Sequence, residues 1–148
     1  FNELIGRNID FVQDNESLSS RGVLRGLHYQ IGEHAQAKLV RVVRGNVLDI
    51  VVDIRENSPT FGHHISIEIS QDNQKQLYVP RGFAHGFIVL SDIAIFSYKC
   101  DNYYNKSAER GIIYNDSTLN VDWQLKQNQI SVSEKDAILP TFNNAELW

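Results

Sequence analysis

Methionine is absent from this chain of 148 residues, and cysteine and proline are scarce, with one and three residues. Because an encoded protein starts with methionine, we expect an N-terminal segment to precede Phe1. The single cysteine, Cys100, excludes an internal disulfide, which suits a reducing compartment.

Long apolar runs and an excess of basic charge are also missing. No run approaches the roughly 20 apolar residues that a membrane helix needs, and no secretory signal is visible. The net charge of −4 disfavours nucleic acid as a partner, although local basic residues could bind one phosphorylated ligand. We therefore predict a cytoplasmic protein with neither a membrane nor a nucleic-acid partner.

The pattern that is present is that of an all-β protein. Residues 64–70 alternate apolar and polar side chains, as a half-buried strand does. Further short strands are predicted at 22–30, 37–44, 46–54, 75–79, 86–90 and 93–100. This spacing indicates a sandwich or barrel, with helix limited to residues 2–8 and to residues 133–136, where Ser133 is the cap. One domain over 1–148 is the simplest organisation.

Strand parity predicts which side chains share a face. The wholly apolar set Leu48, Ile50, Val52 and Ile54 is expected to pack against another sheet. Asp49 lies on the opposite face and points either to solvent or into a polar barrel interior. Tyr98 shares a face with the apolar residues on either side of it along the strand, which suits a common interior.

The densest polar cluster runs from Arg25 to Gln30 and includes His28. It brings a cation, an imidazole and an amide together, although a surface strand with incidental polar residues would look the same. In a regular strand Arg25 and His28 face opposite ways. If both serve one site, Gly26 marks a bulge or a barrel mouth.

Other clusters are individually weak. His85 lies between small and aromatic residues, and it either meets a ligand or packs on a neighbouring ring. Tyr98 and Tyr103 could equally be core or sheet surface, and the segment from Ser133 to Asp136 could be a solvated helix start. Gly-rich phosphate loops, nucleophile elbows and Cys-x-x-Cys pairs are all missing from the sequence.

A metal site is not expected. Cupins often bind metal through a His-x-His pair, and here Gln30 stands where the second histidine would be. His28 and His85 remain, with Glu33 and His34 nearby, so an iron site is the alternative. We predict no metal and no cofactor.

Taken in order, these segments resemble the dTDP-4-dehydrorhamnose 3,5-epimerases over nearly the whole chain. The resemblance rests on residues 11–15, 24–30, 38–42, 45–55, 58–62, 80–87, 98–99, 102–104, 114–116 and 133–136. It implies a cupin-type jelly-roll barrel, a metal-free reaction and a homodimer. The family carries a further N-terminal segment with an Arg and a Glu that contact the nucleotide. It also commonly has Trp where this chain has Tyr114.

The resemblance also implies residue roles in converting dTDP-4-dehydro-6-deoxy-D-glucose to dTDP-4-dehydro-L-rhamnose. His28 is the base, Tyr98 the acid and Asp136 the partner of His28, while Lys38 lies near the keto oxygen of the sugar. The other positions expected to bind substrate are Gln13, Asn15, Arg25, Gln30, His85, Tyr103, Glu109 and Lys135. Three alternatives stay open: an epimerase acting at one carbon or on another 4-keto sugar, a non-catalytic sugar-nucleotide-binding cupin, and a metal-dependent cupin oxygenase.

Overall fold

The computed structural model describes residues 1–6 and 8–148, which form nine strands and a few short helical segments. The strands are β1 (Gln13–Ser20), β2 (Leu24–Gln30), β3 (Lys38–Arg44), β4 (Asn46–Asp53), β5 (His64–Ser70), β6 (Gln76–Val79), β7 (Phe83–Val89), β8 (Ile93–Cys100) and β9 (Glu109–Gly111). The α-helices are α1 (Asn2–Ile5) and α2 (Glu134–Ala137), and 3₁₀ turns cover Gly32–His34, Gln127–Gln129 and Phe142–Asn144. No helix of the described residues is long and apolar enough to cross a membrane.

Two antiparallel sheets carry the architecture. One has the strand order β1-β8-β3-β6 and the other has the order β5-β4-β7-β2-β9. The predicted all-β class is confirmed, and so is the short turn of helix after Ser133, whose hydroxyl accepts the Asp136 N–H at 3.1 Å. The predicted helix over residues 2–8 is found at Asn2–Ile5, and its position at Arg7 lies outside the described residues.

Two of the strands were not predicted from the sequence. The sequence of β1 is Gln-Asp-Asn-Glu-Ser-Leu-Ser-Ser, which holds one large apolar residue and little intrinsic preference for a strand. It nevertheless pairs with β8 along its full length, from Gln13 opposite Cys100 to Ser20 opposite Ile93. Pairing with an apolar neighbour therefore stabilises this strand where its own composition does not. The other unpredicted strand, β9, has only three residues.

One prediction about packing is wrong. The apolar face of β4, which includes Leu48 and Ile50, does not pack against a second sheet. It lies under the C-terminal segments, where it meets Trp123, Phe142 and other large apolar side chains. Those segments contain little regular structure, so no periodic pattern marked them as a covering layer.

The opposite face of the same sheet forms the inner core between the two sheets. Val47 and Phe87 from one sheet pack there with Val40, Val42 and Phe96 from the other. This inner core is apolar at one end and gives way to polar side chains at the other. The candidate active site lies at the polar end.

Strand β2 contains the irregularity predicted at Gly26. Arg25 is opposite Phe87 and His28 is opposite His85, so the register shifts by one residue between them. Gly26 has φ +124°, and a Cβ there would lie 2.6 Å from the Gly86 Cα. Only glycine allows the two backbones this approach. The bulge turns both Arg25 and His28 toward one cavity.

Candidate active site

A cavity of about 570 Å³ opens between the two sheets and is closed on one side by residues 131–136. Its walls combine polar side chains with a floor of two stacked rings, Phe87 and Phe96, whose centroids lie 4.0 Å apart. The sequence-predicted residues that line it are Asn15, Arg25, His28, Lys38, His85, Tyr98, Lys135 and Asp136. Residues more than 100 positions apart in the chain thus meet in one space.

The closest ionisable pair in the cavity joins β2 to α2. The Nε2 atom of His28 lies 2.7 Å from Oδ1 of Asp136, and the other carboxylate oxygen accepts the Gly26 N–H at 3.1 Å. Asp136 is buried, whereas the His28 side chain is 28% exposed. The bond to Asp136 occupies Nε2, which leaves Nδ1 as the nitrogen free to meet a ligand.

Opposing effects act on the pKa of the Asp136 carboxyl. Burial raises its pKa, but the hydrogen bond and charge of His28, the Gly26 N–H and the Lys135 ammonium together lower the pKa below its ordinary value. Asp136 is therefore a carboxylate at neutral pH. It can orient the His28 ring and stabilise the imidazolium that forms when His28 takes a proton.

A second histidine–aspartate pair faces the same cavity. Nε2 of His85 lies 3.0 Å and 2.9 Å from the two carboxylate oxygens of Asp49, which is completely buried. Asp49 thus points into the interior, the second of the two orientations that parity allowed. Burial raises the pKa of the Asp49 carboxyl, while His85 and Lys38 oppose that rise. The signal for Asp49 was an acidic residue in the middle of an apolar strand, with apolar residues on both sides of it.

Lys38 and Tyr98 lie on neighbouring strands, β3 and β8. The Lys38 Nζ is 5.7 Å from the centroid of the Tyr98 ring, and it has no hydrogen-bond or ion-pair partner in the described part of the chain. Burial lowers the pKa of the Lys38 ammonium, and Cys100, Asp49 and Glu109 oppose this effect. An ammonium that faces a cavity without a partner can bind an anionic oxygen.

The hydroxyl of Tyr98 carries a proton that it can donate. Burial, reinforced by Cys100 and Glu109, raises the pKa of its hydroxyl above the ordinary value. The group is therefore protonated at neutral pH. Its ring packs beside Phe96 at a centroid distance of 6.0 Å, which fixes it on the inner face as parity predicted.

Two residues near the mouth have partners on the first sheet. Arg25 donates from Nη2 to the Ser19 hydroxyl at 3.3 Å, and Asn15 donates from Nδ2 to the Cys100 sulfur at 3.8 Å. Arg25 stays exposed. Its planar guanidinium can therefore bind a phosphate group with two hydrogen bonds.

Four predicted substrate-binding residues lie outside the cavity lining, namely Gln13, Gln30, Tyr103 and Glu109. Gln30 is buried, and its amide donates to the His34 carbonyl at 2.7 Å and accepts the Asn105 N–H at 2.6 Å. Gln30 thus links the loop that contains His34 to the loop that contains Asn105. Gln13 donates to Asn15 at 3.1 Å, and Tyr103 is 65% exposed on the surface.

Glu109 acts on the cavity through Lys135. One carboxylate oxygen of Glu109 accepts hydrogen bonds from both Lys135 and the Tyr104 hydroxyl. Burial raises the pKa of the Glu109 carboxyl, but the bonds from Lys135 and Tyr104 outweigh it and lower the pKa. The pair holds the Lys135 ammonium beside the cavity, although Glu109 itself is not part of the wall.

The two cavity histidines each face an aspartate. Across residues 1–6 and 8–148 there is no group of three or more His, Cys, Asp or Glu side chains that could hold a metal ion. His28 and His85, the histidines considered as iron ligands, instead bond to Asp136 and Asp49. The bonds to the two aspartates suit proton transfer at these histidines.

Comparisons with known proteins agree with this architecture. A sequence model of the dTDP-4-dehydrorhamnose 3,5-epimerase family matches residues 1–144. The dTDP-4-dehydrorhamnose 3,5-epimerase of Shigella flexneri is 54% identical over 148 residues, which is 100% of this chain and 81% of that protein.

Solved structures give the same result. The crystal structure of dTDP-4-dehydrorhamnose 3,5-epimerase from Elizabethkingia anophelis NUHP1 superposes with a TM-score of 0.94 at 57% identity, covering 97% of this chain and 78% of that one. A dTDP-6-deoxy-D-glucose-3,5-epimerase from Legionella pneumophila Philadelphia 1, in complex with dTDP-4-keto-L-rhamnose, gives a TM-score of 0.92 at 49% identity, covering 97% and 75%.

Two antiparallel sheets around a polar cavity, with these structural neighbours, define the cupin-fold sugar-nucleotide epimerases as the class of protein. Within that class the chain belongs to the dTDP-4-dehydrorhamnose 3,5-epimerase family, because the family model covers almost all of it and full-length relatives share about half of its residues.

Proposed function

We propose that this protein converts dTDP-4-dehydro-6-deoxy-D-glucose to dTDP-4-dehydro-L-rhamnose by inverting carbons 3 and 5 of the sugar. The observation that carries the proposal is one cavity lined by the His28–Asp136 pair, Lys38 and Tyr98. The Legionella pneumophila relative, solved in complex with dTDP-4-keto-L-rhamnose, supports the same substrate class.

The first step is proton abstraction next to the ketone. The ketone at carbon 4 acidifies the hydrogens on carbons 3 and 5. Nδ1 of His28 removes one of them, and the C–H bonding electrons move into the ring as the ketone oxygen becomes an enolate. Asp136 stabilises the imidazolium, and the Lys38 ammonium stabilises the enolate oxygen.

The second step delivers a proton from the other face of the ring. The Tyr98 hydroxyl donates it to the carbon that lost its hydrogen, the enolate returns to a ketone, and the configuration of that carbon is inverted. Solvent then restores the proton to Tyr98 and removes the one held by His28. Repeating the sequence at the second carbon gives the L-sugar.

The remaining residues of the site suit the nucleotide. Arg25, Lys135 and Asn15 lie at the cavity wall, where a diphosphate needs cations and hydrogen-bond donors. Gln13, Gln30, Tyr103 and Glu109 support this part of the site through Asn15, the neighbouring loops and Lys135. The protein is proposed to act in the cytoplasm as a homodimer, without metal or cofactor.

The proposal is tested by incubating the protein with dTDP-4-dehydro-6-deoxy-D-glucose in deuterium oxide and following the sugar by NMR. The expected product has the L-rhamno configuration and deuterium at carbons 3 and 5. Deuterium and inversion at one carbon only would identify a single-site epimerase. Binding without any exchange would identify a sugar-nucleotide-binding cupin, and both results would refute the double epimerisation.

A further inference from the structure

Asp49 is the most deeply buried carboxylate that the proposed mechanism leaves unused. It has no exposed surface, and it lies in the middle of β4 between Val47 and Val51, which share its face. Burying a carboxylate costs free energy that an apolar side chain at the same position would not cost. Packing alone therefore does not account for an aspartate here.

Among the described residues, the Asp49 side chain has a single hydrogen-bond partner. Both carboxylate oxygens lie within 3.0 Å of the same atom, Nε2 of His85, and they make no other hydrogen bond with the described residues. His85 is itself almost buried and stacks beside Phe96 at a centroid distance of 6.1 Å. The ring is thus held from its face by Phe96 and from one edge by Asp49.

This arrangement determines which edge of the ring faces the cavity. His85 and Lys38 beside Asp49 favour its ionised form, which accepts hydrogen bonds only, so Nε2 carries the hydrogen that it receives. Nδ1 of the neutral ring is then an acceptor, and it is the nitrogen left to meet a ligand. His85 is also the cross-strand neighbour of His28 and lines the same cavity, so its ring lies near the proposed base.

We propose that Asp49 is a positioning residue that holds His85 in the Nε2–H tautomer, with Nδ1 presented as an acceptor to a sugar hydroxyl next to the reacting carbons. The inference rests on the proposed function for the identity of the sugar. The orientation of the imidazole can be tested without it.

The first test is spectroscopic and uses the unliganded wild-type protein. Nitrogen-15 NMR of the histidine side chains, at a pH where the rings are neutral, reports which nitrogen carries the hydrogen. The His85 signals are assigned by their loss in His85→Gln. We expect the Nε2–H form for His85 in wild type and loss of that preference in Asp49→Asn, whose amide N–H can face Nε2. An Nδ1–H form in wild type would overturn the inference even if no variant could be prepared.

The second test is a double-mutant cycle on turnover of the proposed substrate. Asp49→Asn is expected to lower kcat/KM about tenfold or more, the scale of one lost hydrogen bond. In a His85→Gln background the same change should have almost no further effect, since Asp49 acts through His85. Equal losses in both backgrounds would show that Asp49 has another role.

Asp53→Asn is the matched control, because Asp53 is a second buried carboxylate on β4 whose partners, Arg55, Ser58 and Thr60, lie outside the cavity. It should lower stability and leave kcat/KM of the folded protein unchanged. A loss of turnover equal to that of Asp49→Asn would mean that any buried charge on β4 matters. If wild type shows the expected tautomer but does not turn over the sugar, the proposed function fails while the role of Asp49 in orienting His85 stands.

Discussion

The two histidines of the site have the same kind of partner but differ in their exposure to solvent. His28 and His85 are cross-strand neighbours, and each bonds one aspartate. His28 is partly exposed in the cavity, whereas His85 is almost buried. Exposure next to a carboxylate suits a base that must exchange protons with solvent, while burial suits a residue that orients the ligand.

Replacing His28 by alanine tests the base directly. We expect His28→Ala to lower kcat by roughly a hundredfold or more, since general-base catalysis contributes on that scale. Turnover of the 4-keto sugar nucleotide, measured by NMR or coupled assay, gives the value. His34→Ala is the control, because that imidazole bonds to Asn105 outside the cavity and its loss should leave kcat near the wild-type value. Near-normal turnover of His28→Ala would remove His28 from the mechanism.

Most of the polar residues in the cavity could be predicted from the sequence, but not all of their partners could. Pairing of His28 with Asp136 followed from the family resemblance. The pairing of Asp49 with His85 did not, because strand parity left Asp49 the choice between solvent and interior. That choice depends on which face of β4 another layer covers, which is a property of the whole fold.

Among the elements, β2 shows how local sequence can determine geometry. A bulge was predicted at Gly26, because Arg25 and His28 can face one site only if the strand is irregular between them. Glycine also permits the close approach of this backbone to Gly86. Strand β1 shows the opposite case. Its polar sequence gave no strand signal, and its structure comes from pairing with β8.

The turn that follows β4 depends on one buried carboxylate. Asp53 accepts hydrogen bonds from Arg55 at 2.8 Å and 2.7 Å, from Ser58 at 2.5 Å and from Thr60 at 2.6 Å. The bonds from Arg55, with those from the two hydroxyls, lower the pKa of the Asp53 carboxyl far below its ordinary value despite the opposing effect of burial. The ionised form therefore stabilises the folded state.

Asp53→Asn is expected to lower the free energy of unfolding at pH 7 by about 2 kcal/mol, the scale of hydrogen bonds to a charged group. Because the folded-state pKa is depressed, the carboxylate contributes fully above the ordinary pKa of 3.8 and loses its contribution as pH falls below that value. Urea titrations of both proteins should give a constant difference above about pH 5 that shrinks below pH 3.8. A difference independent of pH would contradict this account of the turn.

For the molecule as a whole, composition and periodicity sufficed to predict the all-β class. They did not predict the C-terminal layer that covers one face of the larger sheet, since its residues, such as Trp123 and Phe142, occur in segments without a repeating pattern. The opposite face of that sheet packs against the second sheet, and the space between them contains both the inner core and the cavity.

The proposed homodimer is tested at this scale. Leu18 on edge strand β1 is 66% exposed and lies opposite Ile95, so an apolar surface remains on the outer side of the first sheet. We expect a dimer by sedimentation velocity at micromolar concentration, and a shift toward monomer in Leu18→Glu. Ile138→Glu alters an apolar residue that is even more exposed, at 84%, and lies beside α2, and it should have no effect. A wild-type monomer at this concentration would refute the proposal.

The central claim is that two residues act on opposite faces of the sugar, and Tyr98→Phe tests it most directly. This variant keeps the ring and its packing on Phe96 but lacks the hydroxyl. In deuterium oxide we predict that it still exchanges the sugar hydrogens, because His28 and Lys38 remain, while it forms the L-sugar much more slowly than wild type. Inversion at the wild-type rate would contradict the account, since another group would then be the acid, and loss of exchange together with inversion would contradict the separation of the two roles.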